Sequence, residues 1–232
     1  MSKKTIHIVS LGPGDVELIS DKGKTTLLGA DVIFCPETKS GSRAKSMLID
    51  MGVNADHIQT YMLAMSKDRT KAFEAYDIVV DKTAILSSQG KKVCLVAEGD
   101  AGFYSSTSYM KSRLSELQYN VVQIAGIPAF IAASAFIGIP VTEQDEQLIV
   151  TPGVIYEDDI RKVKEGRAVV VVMKISQCEQ QIKQLLREDN RLVFHYVENA
   201  TTEKQYYTTD REEIESREFP YFALMIIKRS TK

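Results

Sequence analysis

Short apolar, β-branched runs alternate with longer amphipathic stretches along most of the chain. Thr5–Leu11 is the first such run and ends in Gly12-Pro13-Gly14-Asp15. The spacing then predicts a helix over Ser20–Leu28, with Ser20 or Asp21 as its cap, and a second strand over Asp31–Cys35. Arg43–Met51 reads as a short amphipathic helix. Phe73, Tyr76, Val80, Ala84 and Ser87 mark one face of a longer helix over Lys67–Gln89. Lys92–Ala97 reads as a buried strand and Ser105–Leu117 as a helix.

The second half opens with a strand over Asn120–Ile124 and a helix at Pro128. Strand patterns recur over Leu148–Thr151, Ala168–Met173, Arg191–Val197 and Tyr221–Ile227, with a more polar one over Gln205–Thr209. Helices are expected near Glu157–Lys164 and Cys178–Arg187. Strands alternating with helices predict an α/β protein with largely parallel sheets. No Pro/Ser-rich linker interrupts the pattern. Two closely joined halves are expected, an N-terminal α/β domain over 1–118 and a C-terminal one over 119–232.

One stretch imitates a membrane span, because no charged residue occurs between Ile124 and Val141. Pro128 and Pro140 bracket its interior, and Gly126 and Gly138 sit just inside its ends. The helix they allow, Pro128–Ile137, is about 15 Å long at 1.5 Å per residue, half a bilayer core. It reads as a buried helix of a soluble protein.

Composition narrows the chemistry. The 232 residues are 44% apolar and 26% charged, as in a packed globular protein. Lys and Arg number 29 and Asp and Glu 31, and the net charge of −2 argues against binding nucleic acid through a basic field. Cys35, Cys94 and Cys178 lie far apart with no C-x-x-C pair, and His7, His57 and His195 are equally scattered. This pattern predicts neither a disulfide framework nor a metal site, and it fits a reducing, cytoplasmic setting. Met1-Ser-Lys-Lys leads straight into the first strand without a secretory pattern.

Three strand–turn–helix junctions carry the polar residues. Gly12-Pro13-Gly14-Asp15 follows the first strand, at the end where α/β folds bind ligands. It is not a dinucleotide fingerprint: position 17 is Glu, Asp15 sets negative charge where a pyrophosphate would lie, and Pro13 removes an amide donor. Gly23-Lys24-Thr25 lacks the earlier glycine of a P-loop, since Leu18 stands there. Glu98-Gly99-Asp100-Ala101-Gly102-Phe103-Tyr104-Ser105-Ser106 follows the Lys92–Ala97 strand. It fits either a turn capped by Ser105 or Ser106, or a place where backbone approaches a ligand and carboxylates meet a cation or hydroxyl. Ala125-Gly126-Ile127-Pro128-Ala129-Phe130 is the third junction, with Pro128 suited to a first helical position. Three such turns, from both halves, are expected to face one cleft.

In order and spacing, Gly12-Pro-Gly-Asp15 with Glu17-Leu-Ile-Ser20, Ala30-Asp-Val-Ile33, Glu98-Gly-Asp100 and Gly126-Ile-Pro-Ala129 resemble the tetrapyrrole methylases over nearly the whole chain. Within that family the chain is most similar to the precorrin-2 C20-methyltransferases. The supporting segments are Phe34–Lys39, Glu98–Ser106, Val172-Met173-Lys174 and Pro220–Met225.

The resemblance implies a homodimer of two-domain α/β chains, each domain a mostly parallel sheet flanked by helices, with S-adenosylmethionine (SAM) in a cleft between the domains. It implies methylation of C20 of precorrin-2 or cobalt-factor II in cobalamin biosynthesis. Carried over by position, SAM would meet Leu11 and Pro13 in the first turn and Glu98, Gly99, Asp100 and Phe103 in the second. Pro128 and Ala129 match a third contact, Met173 the end of a later strand, and Asn199, Ala200 and Leu224 the adenine side. Two departures stand out: Ala101 replaces the family's usual Pro, and Pro128 a common Ser or Thr, so no hydroxyl contact carries over at 128.

The residues suit that ligand. A sulfonium, an ammonium and an adenine call for backbone groups, carboxylates and apolar walls, and Asp15 and Asp100 are acceptable beside them. Asp100 is the candidate for assisting proton loss from the methylated carbon or for holding the substrate; its alternative is a carboxylate that holds the cofactor or the turn. His195 reads as a sheet residue. A polycarboxylate substrate points to Thr38, Lys39, Arg43, Tyr104, Ser105, Ser106 and Lys174, with Lys45, Lys111 and Arg113 as further basic groups. Methylation at another ring position, modification of RNA or protein, and ligand binding without turnover are the alternatives.

Overall fold

The computed structural model describes residues 5–39, 41–63 and 70–230. The chain divides into two compact units, Met1–Pro128 and Ala129–Lys232.

The first unit runs β1 (Thr5–Ser10), α1 (Asp21–Leu28), β2 (Val32–Glu37), α2 (Arg43–Asp50), β3 (Ile58–Met62), α3 (Thr70–Ser88), β4 (Val93–Ala97), α4 (Thr107–Glu116) and β5 (Asn120–Ile124). Its sheet has the order β3-β2-β4-β1-β5, with every pairing parallel. Helices cover both faces, so the strands are buried on both sides and read as near-continuous apolar runs. Ile6 and Ile8 pack with Tyr76, Val79 and Val80 of α3 and Met110 and Leu114 of α4. Val9, one step out of phase, packs on the opposite face with Leu27 of α1 and Met47 and Leu48 of α2. Ser20 caps α1, its hydroxyl accepting the Gly23 amide at 3.2 Å.

Two features differ from expectation. The boundary along the chain lies beyond Gln118–Tyr119, because β5 completes the first sheet by pairing with β1 from Thr5–Asn120 to Val9–Ile124. β3 was not expected: exposed Gln59, Thr60 and Met62 break its apolar run, as suits an edge strand. Residues 67–69 of the expected long helix lie outside the described residues.

The second unit holds α5 (Ala129–Ile137), β6 (Gln147–Pro152), α6 (Glu157–Lys164), β7 (Ala168–Met173), α7 (Glu179–Glu188), β8 (Leu192–Glu198), β9 (Tyr206–Thr208), α8 (Arg211–Ser216) and β10 (Ala223–Arg229). Its sheet has the order β6-β7-β10-β8-β9. Val170, Val172, Phe194, Tyr196, Met225 and Ile227 pack against α6, α7 and α8. Val169, Val171, Val197, Leu224 and Ile226 pack against Phe130 and Ala133 of α5.

This sheet corrects the expectation of a mostly parallel second domain. Only β6 and β7 pair in parallel; β10 runs antiparallel to both β7 and β8, and β9 is antiparallel to β8. Residues 199–205 join β8 to β9 without a helix, a link that only an antiparallel neighbour accepts. The α7 crossover does bring β8 back in the direction of β7, but β10 inserts between them. Strand–helix alternation cannot register that insertion. Among the described residues no helix is long and apolar enough to cross a membrane, and no group of three or more His, Cys, Asp or Glu could hold a metal ion.

Candidate functional site

β4, β1 and β5 are parallel neighbours, so their carboxyl ends stand side by side and the turns that follow them meet. The Leu11 amide donates to Ala97 O at 2.8 Å. Beyond it, Gly12 and Gly99 exchange two backbone bonds, Gly12 N to Gly99 O at 3.0 Å and Gly99 N to Gly12 O at 2.7 Å. Both glycines have left-handed backbones, with φ of 72° and 69°. The first turn closes on Asp15, whose Oδ1 accepts the Glu17 amide at 2.8 Å.

Asp100 joins this pair of turns to the third. Its Oδ2 accepts the Gly126 amide at 2.7 Å and the Ser10 hydroxyl at 3.4 Å, and its Oδ1 accepts the Gly102 amide at 2.7 Å. The Ser10 hydroxyl in turn accepts the Ala101 amide at 2.9 Å. With both oxygens engaged by turn donors, Asp100 holds the turns together. Packing is tight on the inner side: a Cβ at Gly126 would lie 2.5 Å from Ser10 Cβ and 3.1 Å from Gly99 O. The outer side is open, since a Cβ at Gly99 would meet nothing within 4 Å. A closely knit backbone with open space over one glycine is what a ligand needs to approach the main chain.

The other residues of the second turn divide by role. Burial raises the Glu98 carboxyl, while Arg43 and the Ala44 amide at the start of α2 favour its charged form. Its side chain therefore belongs to the α2 junction. Arg43 is lowered by burial and supported by Glu98. The Phe103 and Tyr104 rings are exposed and meet edge to face, 6.4 Å between centroids. Of the two expected caps, Ser106 occupies the N-cap position of α4 without a side-chain capping bond, and the Ser105 hydroxyl just before it accepts the Thr107 amide at 3.2 Å.

The remaining first-unit candidates cluster before α2. Thr38 and Gly41 pair through their backbones, Thr38 N to Gly41 O at 2.9 Å and Gly41 N to Thr38 O at 3.0 Å. Ser42 caps α2 by accepting the Lys45 amide at 3.0 Å. Lys39 is exposed. Leu11 and Pro13 are buried, and Leu11 packs in the core.

In the second unit, β7 and β10 set Met173 opposite Leu224, and the next pairing sets Leu224 opposite Val197. Ala129, Met173, Ala200 and Leu224 share one apolar cluster with Phe130. Asn199 turns the chain with φ of 47° and donates its amide to Phe222 O at 2.8 Å. Lys174 follows Met173 with φ of 55°. The five second-unit cofactor candidates are thus neighbours. His195 lies in β8, its ring stacked on Tyr207 with Nδ1 2.9 Å from the phenol oxygen, and burial followed by Lys228 lowers it to about 4. Ser10 was not singled out from sequence, because a lone serine ending an apolar strand carries no local signal.

Comparison with known proteins bears on this arrangement. Residues 5–215 match the family of tetrapyrrole (corrin/porphyrin) methylases. The chain is 28% identical to a protein of Methanocaldococcus jannaschii described as a probable cobalt-precorrin-2 C(20)-methyltransferase, over 97% of this chain and 96% of that one. It is also 28% identical to a precorrin-2 C(20)-methyltransferase of Sinorhizobium, over 94% and 93% of the two chains. The solved structure of a uroporphyrin-III C-methyl transferase from Thermus thermophilus, complexed with S-adenyl homocysteine, superposes with a TM-score of 0.69 at 20% identity, over 97% of this chain and 92% of that one. With a family match that spans most of its length, this chain belongs to the tetrapyrrole methylases.

Proposed function

We propose that this protein transfers the methyl group of SAM to C20 of precorrin-2 or of cobalt-factor II in cobalamin biosynthesis. The observation that carries the reading is the knot of three turns with open space over Gly99, in a chain of this family. The nearly full-length likeness to two C(20)-methyltransferases supports the ring position.

When bound, SAM supplies an electrophilic methyl on a sulfonium. The chain's part is to bind and orient, and in-line transfer between held partners gains effective molarities up to ~10⁵–10⁸ M. Leu11, Pro13, Glu98, Gly99 and Asp100 would offer mainly main-chain surface to the donor, with Phe103 as an exposed apolar wall and Pro128 and Ala129 as a third edge. Met173, Asn199, Ala200 and Leu224 form the second-unit share. Asp100 is assigned to holding the turns rather than to removing a proton, since three donors already converge on it. Lys39, Arg43 and Lys174 are the cations for substrate carboxylates, and Thr38, Tyr104, Ser105 and Ser106 the hydroxyls. A cytoplasmic homodimer completes the reading.

Incubation with SAM and each tetrapyrrole, followed by mass spectrometry, is expected to show a gain of one methyl with one of them. No gain with either contradicts the proposal.

A further inference from the structure

Ser10 ends β1 with its side chain fully buried. A hydroxyl inside an apolar strand costs free energy unless it is hydrogen-bonded. Both bonds of Ser10 leave its own strand and reach the second turn: it accepts from Ala101 N at 2.9 Å and donates to Asp100 Oδ2 at 3.4 Å. Space alone does not require the hydroxyl. The 2.5 Å approach that a Gly126 Cβ would make to Ser10 Cβ requires glycine at 126, and the Cβ that sets it is one that alanine at position 10 also carries.

What the hydroxyl adds is placement. Gly99, open to solvent on its outer side, is held at its own amide and carbonyl by Gly12. The next two residues are held by Ser10, and Asp100 passes the constraint on to Gly126 and Gly102. Without the Ser10 hydroxyl, the Ala101 amide loses its acceptor and the Asp100 carboxylate one of its three donors. The Asp100–Ala101 peptide, one step beyond Gly99, then loses its anchor.

We propose that Ser10 is a positioning residue for the methyl-donor site: its hydroxyl fixes the Gly99–Ala101 backbone in the orientation that receives SAM. This rests on reading the three-turn knot as the SAM site. Ser10 touches neither donor nor substrate and acts through the turn.

The test compares Ser10→Ala with Thr208→Ala, which removes a bond of the same kind, the Asp210 amide to Thr208 Oγ1 at 3.0 Å, from the second unit. Binding of S-adenosylhomocysteine is measured by calorimetry, with thermal midpoints recorded for both variants. Ser10→Ala is expected to weaken binding about tenfold, equivalent to about 1.4 kcal/mol. The KM for SAM should rise while the KM for the tetrapyrrole and kcat hold. Thr208→Ala should lower the thermal midpoint with binding unchanged. Wild-type affinity in Ser10→Ala, or an equal loss in both variants, overturns the proposal. A wild-type protein that binds no S-adenosylhomocysteine overturns instead the reading of the site. If Ser10→Ala yields no folded protein, Ser10→Cys, whose thiol is a weaker acceptor, carries the same test.

Discussion

Glycines mark the candidate site residue by residue, and not all for the same reason. Gly126 is small because Ser10 lies against it, and Gly12 and Gly99 because their backbones are left-handed; at Gly99 the outer face is open as well. Two substitutions at Gly99 separate these causes. Gly99→Ala introduces the left-handed strain, about 1–2 kcal/mol, but little bulk. Gly99→Trp introduces the same strain and fills the open space. Affinity for S-adenosylhomocysteine should fall far more in the tryptophan variant than in the alanine variant, by calorimetry, with similar thermal midpoints. Equal affinities would remove the ligand from this turn. The glycines, Asp100 and Pro128 were legible in the sequence because turn residues after apolar runs are distinctive. Ser10 was not, since its importance comes from the turns of β4 and β5, distant in sequence.

Among the elements, the strands buried on both faces were the most legible, because continuous apolar runs between turn signals leave few alternatives. β4 and β7 fall within a residue of expectation. β3 and α8 were missed, being short and largely polar at an edge or surface. The loops between elements also carry stability. Asp189, just after α7, binds Arg191 ahead of β8 at 2.9 Å and Lys164 of α6 at 2.6 Å, and so ties three elements together. The Arg191 hydrogen bond, followed by Lys164, holds its carboxyl below the ordinary range. A depressed carboxyl stabilises the fold above its unfolded value, near pH 4, and that contribution is lost as pH falls through the folded value. Asp189→Asn should therefore cost about 1–2 kcal/mol at pH 7 in denaturant titration, and the gap to wild type should shrink below pH 4. A gap that holds constant with pH would remove the ion pairs from the explanation.

At the scale of the whole molecule, the two sheets differ in how far sequence could reach. The first is parallel throughout, so strand–helix alternation and topology agree. In the second, β10 returns from the chain's end to sit between β7 and β8, a pairing over long sequence separation that local pattern does not encode. The ordered turns nonetheless pointed to the family, because each follows a strand whose neighbours bring it to the site. The central claim is the position of the transferred methyl. Incubation with SAM carrying a ¹³C-labelled methyl and either precorrin-2 or cobalt-factor II, followed by NMR of the product, should give a single new methyl on C20. A labelled methyl on any other ring carbon would contradict the C20 reading.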